Sequence, residues 1–201
     1  MEHPHRVVLL AGPSGSGKSY IARRTGLPVL CLDDFYKNGD DPTLPRQNGQ
    51  VDWESPASWD AGAAVETVVR LAREGRAEVP VYAFGEDRKV ATRTIDLAGS
   101  PLFVAEGIFA AEIVAECRRR GVLAGAYALR RPRSATFVRR LARDLAEQRK
   151  APRVLVSRGV ALLRAEPAVL RRQTGLGAEA ARAGEVLRRV AGLLAGHPHR
   201  T

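Results

Sequence analysis

The sequence predicts a three-layer α/β fold built on a parallel central sheet, and three observations predict it. Four short apolar runs, Arg6–Ala11, Pro28–Leu32, Leu102–Ala105 and Gly125–Leu129, read as buried strands. Helical patterns lie between them at Lys18–Thr25, Pro56–Glu74 and Ile108–Arg120. Strands alternating with helices imply a parallel sheet covered on both faces. Residues able to do chemistry follow the strands directly: Gly12–Ser19 after the first, Asp33-Asp34 after the second, Glu106 after the third. Ligands of such sheets bind at the carboxyl ends of the strands, so all three groups should converge on one edge.

The first of these groups is the most specific. Gly12-Pro13-Ser14-Gly15-Ser16-Gly17-Lys18-Ser19 matches G-x-x-x-x-G-K-[ST] at every position, between a strand and a helix. Such a P-loop lets backbone N–H groups converge on phosphate oxygens with no Cβ in the way, and the positive end of the following helix strengthens the anion site. The expected nucleoside-triphosphate site comprises Gly12, Ser14, Gly15, Ser16, Gly17, Lys18, Ser19 and Tyr20. Lys18 would reach the β/γ-phosphates and the Ser19 hydroxyl would sit on Mg²⁺. The fold class is thereby narrowed to a three-layer P-loop NTPase fold.

Asp33-Asp34 then invites two readings. A carboxylate at the end of the strand after the P-loop helix can take the proton from an attacking hydroxyl, or the pair can simply close a strand and cap a turn. Asn38–Asp52, rich in Gly, Asp, Pro and Asn, reads as a mobile loop over the site. Asp52 could accept hydrogen bonds from sugar hydroxyls, and Tyr82 or Phe84 could stack on a base. Tyr82 and Phe84 also alternate like a half-buried strand, and Trp53 and Trp59 suit an ordinary core. Phe84–Arg93 is irregular, with room for a hairpin. Glu106, ending a buried strand, can hold Mg²⁺ or its water shell, or serve as a helix N-terminal acid.

From Ser134 onward the pattern is helical, broken near Ala151-Pro152 and Glu166-Pro167. Helix Ser134–Lys150 carries an apolar stripe of Phe137, Val138, Leu141 and Leu145, with Arg139, Arg143 and Lys150 opposite. Such a cationic line is either solvated surface or an arginine-rich lid over about 134–175 that neutralises a transferring phosphoryl group. Arg158, Arg164, Arg171 and Arg172 are further unranked candidates.

Composition bounds the remainder. At 201 residues the chain reads as a single domain with a lid. Cys31 and Cys117 lack metal-ligand spacing and suggest a reducing compartment. No run has the pattern of a signal peptide or the length of a membrane span, so cytoplasmic residence is the expectation. The net charge of +10 is uneven: residues 1–109 carry 12 basic and 15 acidic residues, residues 110–201 carry 20 and 7. A basic half can be a polyanion footprint, but no aromatic-interleaved or recognition-helix pattern accompanies it. A phosphate clamp is the preferred reading and nucleic acid the disfavoured one. Asp96-Leu97-Ala98-Gly99 matches the D-x-x-G of GTPases by chance, since no N-K-x-D follows. His3, His5, His197 and His199 read as loose ends rather than ligands.

In this order the motifs resemble the uridine kinase family, relatives of phosphoribulokinase and nicotinamide riboside kinase, from about Val7 to Lys150. The resemblance rests on the P-loop, Asp33-Asp34-Phe35-Tyr36, Val51-Asp52-Trp53-Glu54-Ser55-Pro56, Pro80-Val81-Tyr82-Ala83-Phe84 with Arg88, Glu106-Gly107-Ile108, and Arg139-Arg140-Leu141-Ala142-Arg143-Asp144. It implies ATP- and Mg²⁺-dependent phosphorylation of a nucleoside-like 5′-hydroxyl, with uridine or cytidine first. Residue by residue it implies Asp33 as base, Lys18, Arg139 and Arg143 as catalytic cations, and Ser19 with Glu106 at the metal. Asp33, Tyr36, Asp52, Tyr82, Phe84, Arg88 and Arg139 would meet the acceptor. Three positions depart from the family: Asp-Asp-Phe-Tyr for D-S-F-Y, Gly85-Glu86-Asp87-Arg88 for S-H-x-R, and Glu147-Gln148-Arg149-Lys150 for E-R-G-R. These leave open another acceptor (nicotinamide riboside, pantothenate or a sugar), and the basic half leaves open a nucleic-acid-binding ATPase. A small-molecule substrate and no membrane are expected; a homo-oligomer is left open.

Overall fold

The central strand β1 (Arg6–Ala11) is a continuous apolar run whose alternate side chains enter two separate cores. Val7, Leu9 and Ala11 join one cluster; Val8 and Leu10 join the other. That period of two, with both faces covered, is what a middle strand of a parallel sheet requires. The computed structural model describes residues 3–130 and 167–196.

Five strands form the main sheet: β1, β2 (Val29–Cys31), β7 (Leu102–Glu106), β8 (Leu123–Leu129) and β9 (Glu179–Ala181), in the order β2-β7-β1-β8-β9. Every pairing is parallel. One face packs under α2 (Ala61–Glu74) and α3 (Val114–Arg119). The other packs under α1 (Lys18–Arg24) and α5 (Ala183–Ala195), through Ile21, Ala22, Val186 and Val190. These are the three predicted layers.

The four predicted strands are present and the fifth, β9, corrects the helical reading of the C-terminal third. Three residues, Glu-Ala-Ala, give no β signal of their own; they form a strand because β8 offers a free parallel edge at Tyr127–Leu129. Residues 167–175, here α4, are helical.

The predicted helix Pro56–Glu74 divides. Pro56–Ser58 is a short 3₁₀ turn, and α2 begins afresh after Asp60, whose carboxylate accepts the Ala63 N–H at 2.9 Å. Between them Trp59 is buried and donates its indole N–H to the Leu32 carbonyl at 2.7 Å. Ile108–Arg120 likewise becomes a 3₁₀ turn, Ala110–Ile113, followed by α3.

The predicted loop Asn38–Asp52 contains a small hairpin, β3 (Arg46–Gln47) with β4 (Gln50–Val51). Its turn, Asn48-Gly49, has both residues at positive φ, the primed geometry that closes two-residue hairpins. The segment Phe84–Arg93 lies in a longer hairpin, β5 (Arg76–Ala83) with β6 (Arg88–Asp96). Asp96 closes β6 and accepts the Ala98 N–H at 2.7 Å, so the D-x-x-G run is a turn.

The first histidines are tied down, contrary to expectation: His5 Nδ1 meets the Ser100 carbonyl at 2.7 Å and His3 Nε2 meets that of Arg120 at 3.0 Å. His197 and His199 lie outside the described residues. So do residues 131–166, and with them Arg139, Arg143 and the lid helix. Among the described residues no helix is long and apolar enough to cross a membrane. Cys31 and Cys117 are both free thiols, Cys31 half-buried and Cys117 buried.

Candidate active site

The P-loop, Glu106 and Asp33 meet at the carboxyl edge of the sheet because their strands are neighbours in register: Glu106 lies opposite Leu10 on one side and Cys31 on the other. The loop leaves β1 at Gly12, where a Cβ would meet Ser16 Oγ at 2.9 Å and Leu129 Cβ at 3.3 Å. Gly15 and Gly17 hold φ of 79° and 87°, conformations a side chain resists, and Gly17 precedes the first residue of α1.

The loop fits a polyphosphate. Ser16 is fully buried, yet its Oγ has no hydrogen-bond partner among the described residues. Lys18 is 6% exposed, and among the described residues its Nζ has one long hydrogen bond, 3.4 Å to the Pro13 carbonyl. A buried ammonium and a buried hydroxyl with unspent donors are costly unless an anion meets them.

Glu106 is 5% exposed at the end of β7. Burial raises its carboxyl above the ordinary range, opposed by the Lys18 ammonium and a hydrogen bond from Ser19. Ser19 hydroxyl and Glu106 carboxylate are hard oxygen donors of the kind Mg²⁺ takes, and it keeps waters for the rest.

Asp33 sits in a 3₁₀ turn, Leu32–Phe35, directly after β2. Its Oδ1 accepts the Ile108 N–H at 3.1 Å; among the described residues Oδ2 has no hydrogen-bond partner. Gly107 makes this approach feasible, since a Cβ there would meet Asp33 Oδ1 at 2.8 Å and Leu32 Cβ at 2.9 Å. Asp34 turns the other way. Its Oδ1 accepts the Tyr82 N–H at 3.2 Å and its Oδ2 lies 3.6 Å from Arg93 on β6. The two adjacent carboxylates thus divide, Asp33 towards the sheet edge and Asp34 towards the hairpin. Burial raises the Asp34 carboxyl, with the Tyr82 amide and Arg93 pulling it back.

Beside this edge lies an aromatic nest centred on Tyr36, with ring centroids of Trp53, Tyr82, Phe84 and Phe109 at 5.8–5.9 Å. Both tyrosine hydroxyls are committed to backbone: Tyr36 to the Trp53 carbonyl and Tyr82 to the Lys37 carbonyl, each at 3.2 Å. Burial pushes the Tyr82 phenol up to about 12 and that of Tyr36 higher. Phe84, 47% exposed, leaves part of its ring in solvent.

The other predicted acceptor residues are not gathered into the nest. Asp52 accepts the Glu54 N–H at 3.1 Å in a local turn, and Arg88 forms an exposed ion pair with Glu86 at 3.4 Å. An open groove of about 430 Å³ runs by Lys37, Asn38, Asp40, Asp41, Asp60 and Lys89, none of them a predicted site residue. Sequence reasoning passed over Phe109 and the outward turn of Asp34, and held Gly107 only as part of Glu106-Gly107-Ile108, without its packing against Asp33. Only Gly107 had a signal, as the glycine directly after a strand-ending carboxylate.

Comparison with known proteins follows the same line. No family profile matches the chain. In sequence it is 33% identical over 113 residues to the uridine kinase of Schizosaccharomyces pombe, covering 52% of this chain and 25% of that protein. It is 23% identical over 162 residues to the uridine kinase of Shewanella denitrificans, covering 75% and 74%. The resemblance to the uridine kinase family holds. A solved structure, described as a candidate fructose transport system kinase from Silicibacter sp. TM1040, superposes with a TM-score of 0.62 at 19% identity, covering 84% and 85%. That likeness is one of fold, the three-layer α/β architecture. The chain spans only about a quarter of the fission yeast relative's length.

Proposed function

We propose that this chain is a kinase that moves the γ-phosphoryl group of ATP·Mg²⁺ to a hydroxyl of a small nucleoside-like acceptor, uridine or cytidine first. The observation that carries it is the Asp33 carboxylate, held by Ile108 N–H beside Gly107, on the same sheet edge as Lys18, Ser19 and Glu106. Similarity to uridine kinases at modest identity supports the class of reaction.

Each residue then has a task. The P-loop amides, Ser16 Oγ and Lys18 bind and orient the triphosphate. Ser19 and Glu106 would hold Mg²⁺, which supplies neutralisation of phosphate charge when bound. Asp33 orients the acceptor hydroxyl and takes its proton at Oδ2 as the oxygen bonds to phosphorus and the bridge to the β-phosphate breaks. Arg139 and Arg143, outside the described residues, would cover the transferring group from the lid. The aromatic nest offers ring surface to a planar base, with Phe84 at its open side.

The test is ADP release with ATP·Mg²⁺ against uridine, cytidine, adenosine, nicotinamide riboside, pantothenate and simple sugars, beside a blank without acceptor. Stimulation by uridine or cytidine is expected. Stimulation by another compound keeps the kinase and replaces the acceptor. High release in the blank, unmoved by any acceptor, overturns the kinase reading in favour of an ATPase. Steeply salt-dependent oligonucleotide binding would then mark the basic half as its partner site.

A further inference from the structure

We propose that Gln173 is a positioning residue for the Asp33 carboxylate, acting through the backbone of Ile108; the proposal rests on the reading of Asp33 as the base. Gln173 stands on α4, 65 positions along the chain from Ile108, and its side chain is 3% exposed. Its Nε2 donates to the Ile108 carbonyl at 3.0 Å. The N–H of the same Ile108 donates to Asp33 Oδ1 at 3.1 Å. Both polar groups of one backbone residue are therefore committed, the carbonyl to α4 and the amide to the base.

Among the described residues, backbone bonds also hold the turn that carries Ile108. Gly107 N–H reaches the Leu10 carbonyl at 3.2 Å, and Ala110 N–H reaches the Gly107 carbonyl at 3.3 Å. Next to Gln173, Arg172 pairs with Glu112 at 3.0 Å, so α4 is docked on the segment that follows the turn. Leu170 and Leu176 pack against the core on either side. The orientation of the amide is fixed by chemistry, because a reversed amide would set Oε1 against the Ile108 carbonyl, acceptor against acceptor.

The other end of the amide makes the case. Gln173 Oε1 is buried with no hydrogen-bond partner among the described residues. A buried acceptor left unmet costs free energy, and an apolar side chain of the same volume would avoid that cost. What only the amide supplies is the N–H to Ile108. Holding Oδ1 from the Ile108 side leaves Oδ2 of Asp33 to the acceptor, and placement of a base within hydrogen-bond reach decides its efficiency. The helix that follows the arginine-rich segment is in this way joined to the group that takes the proton.

The test uses the full chain with Gln173→Met, which keeps length and volume and removes the donor. Two readouts are needed: hydrogen exchange of the Ile108 amide, and uridine-stimulated ADP release, or release with whichever acceptor stimulates the wild type. The Ile108 amide is expected to exchange at least about tenfold faster. The turnover number is expected to fall by about ten- to a hundredfold with the KM for ATP unchanged. Unchanged turnover in a folded Gln173→Met protein overturns the proposal, as does a loss accompanied by a raised KM for ATP, the mark of general loosening.

If Gln173→Met does not fold, wild-type exchange decides: Nε2 protons of Gln173 that exchange as fast as those of a solvated amide overturn the link, and protected ones support it. Asp33→Asn separates the two readings. Full turnover in Asp33→Asn removes the base reading itself, whereas its abolition alongside an unaffected Gln173→Met removes the positioning role alone.

Discussion

The two sides of the candidate site are built in opposite ways. The nucleotide side is made from eight consecutive residues at the end of a buried strand, backed by Glu106 one strand away. The proposed acceptor side is assembled from a 3₁₀ turn, a loop and a two-stranded hairpin whose outer strand β6 is exposed at all but one position. The hairpin is fastened to the Leu32–Phe35 turn and the chain just beyond it by the Asp34 contacts to Tyr82 and Arg93 and by the Tyr82 hydroxyl on the Lys37 carbonyl. The P-loop is held by the sheet itself. On the proposed function, triphosphate binding would be tied to the fold's stability, while acceptor choice would sit on a part that can change without unfolding it.

Substitutions on the two sides should therefore separate, and the largest separation is between Lys18→Ala and Asp33→Asn. Lys18→Ala is expected to weaken both nucleotide binding and turnover, the latter by about 10²–10³-fold through lost charge stabilisation. Asp33→Asn is expected to cut turnover by about 10²–10⁴-fold while ATP binding, followed with a fluorescent nucleotide, stays nearly intact. Loss of nucleotide binding in Asp33→Asn would break the comparison, because the two sides would then be one unit.

A smaller effect sharpens it. Phe84→Ala removes an exposed ring from the nest, and lost stacking should raise the KM for a nucleoside acceptor by about tenfold. Its melting temperature and its KM for ATP should not move. A drop in melting temperature without a change in acceptor KM would make Phe84 a packing residue.

The smallest expected effect is a pH slope. The Asp34 carboxyl is raised by burial in the folded chain, with the Tyr82 amide and Arg93 opposing, so the folded state holds that proton more tightly than the unfolded state. Its contribution to stability is present below the unfolded carboxyl value, about 3.9, and is lost as pH rises through the raised folded value. Asp34→Asn keeps an acceptor for the Tyr82 N–H and should flatten this part of the stability–pH curve measured by denaturant unfolding. An unchanged slope would show that Arg93 already offsets the burial.

The layers, four of the five main strands and the P-loop were legible because each is written in neighbouring residues: apolar runs, a glycine-rich turn, a carboxylate just past a strand. The helix boundaries at Trp59 and Phe109 were less so. Both segments continue a helical pattern, and their breaks answer to tertiary demands, Trp59 turning inward to the Leu32 carbonyl. The strand β9 was illegible for a similar reason, since its three residues are a strand only beside β8. The residues alone offered Asp33 and Asp34 as a pair and the family resemblance chose Asp33, but where each carboxylate points is defined by a partner some 75 or 48 residues away.

By itself, then, the sequence determined the fold class, the triphosphate loop and the carboxylates at the strand ends, because those properties depend on local spacing and on the side-chain period. The tertiary structure alone decided that Asp33 faces the sheet edge and Asp34 the hairpin, that Tyr36 gathers an aromatic nest, and that Gln173 grips Ile108 from a distant helix. These are hydrogen bonds and ring contacts between residues far apart in the chain. No local period encodes them, and they exist only once burial has brought their elements together and left each polar group to find a partner there.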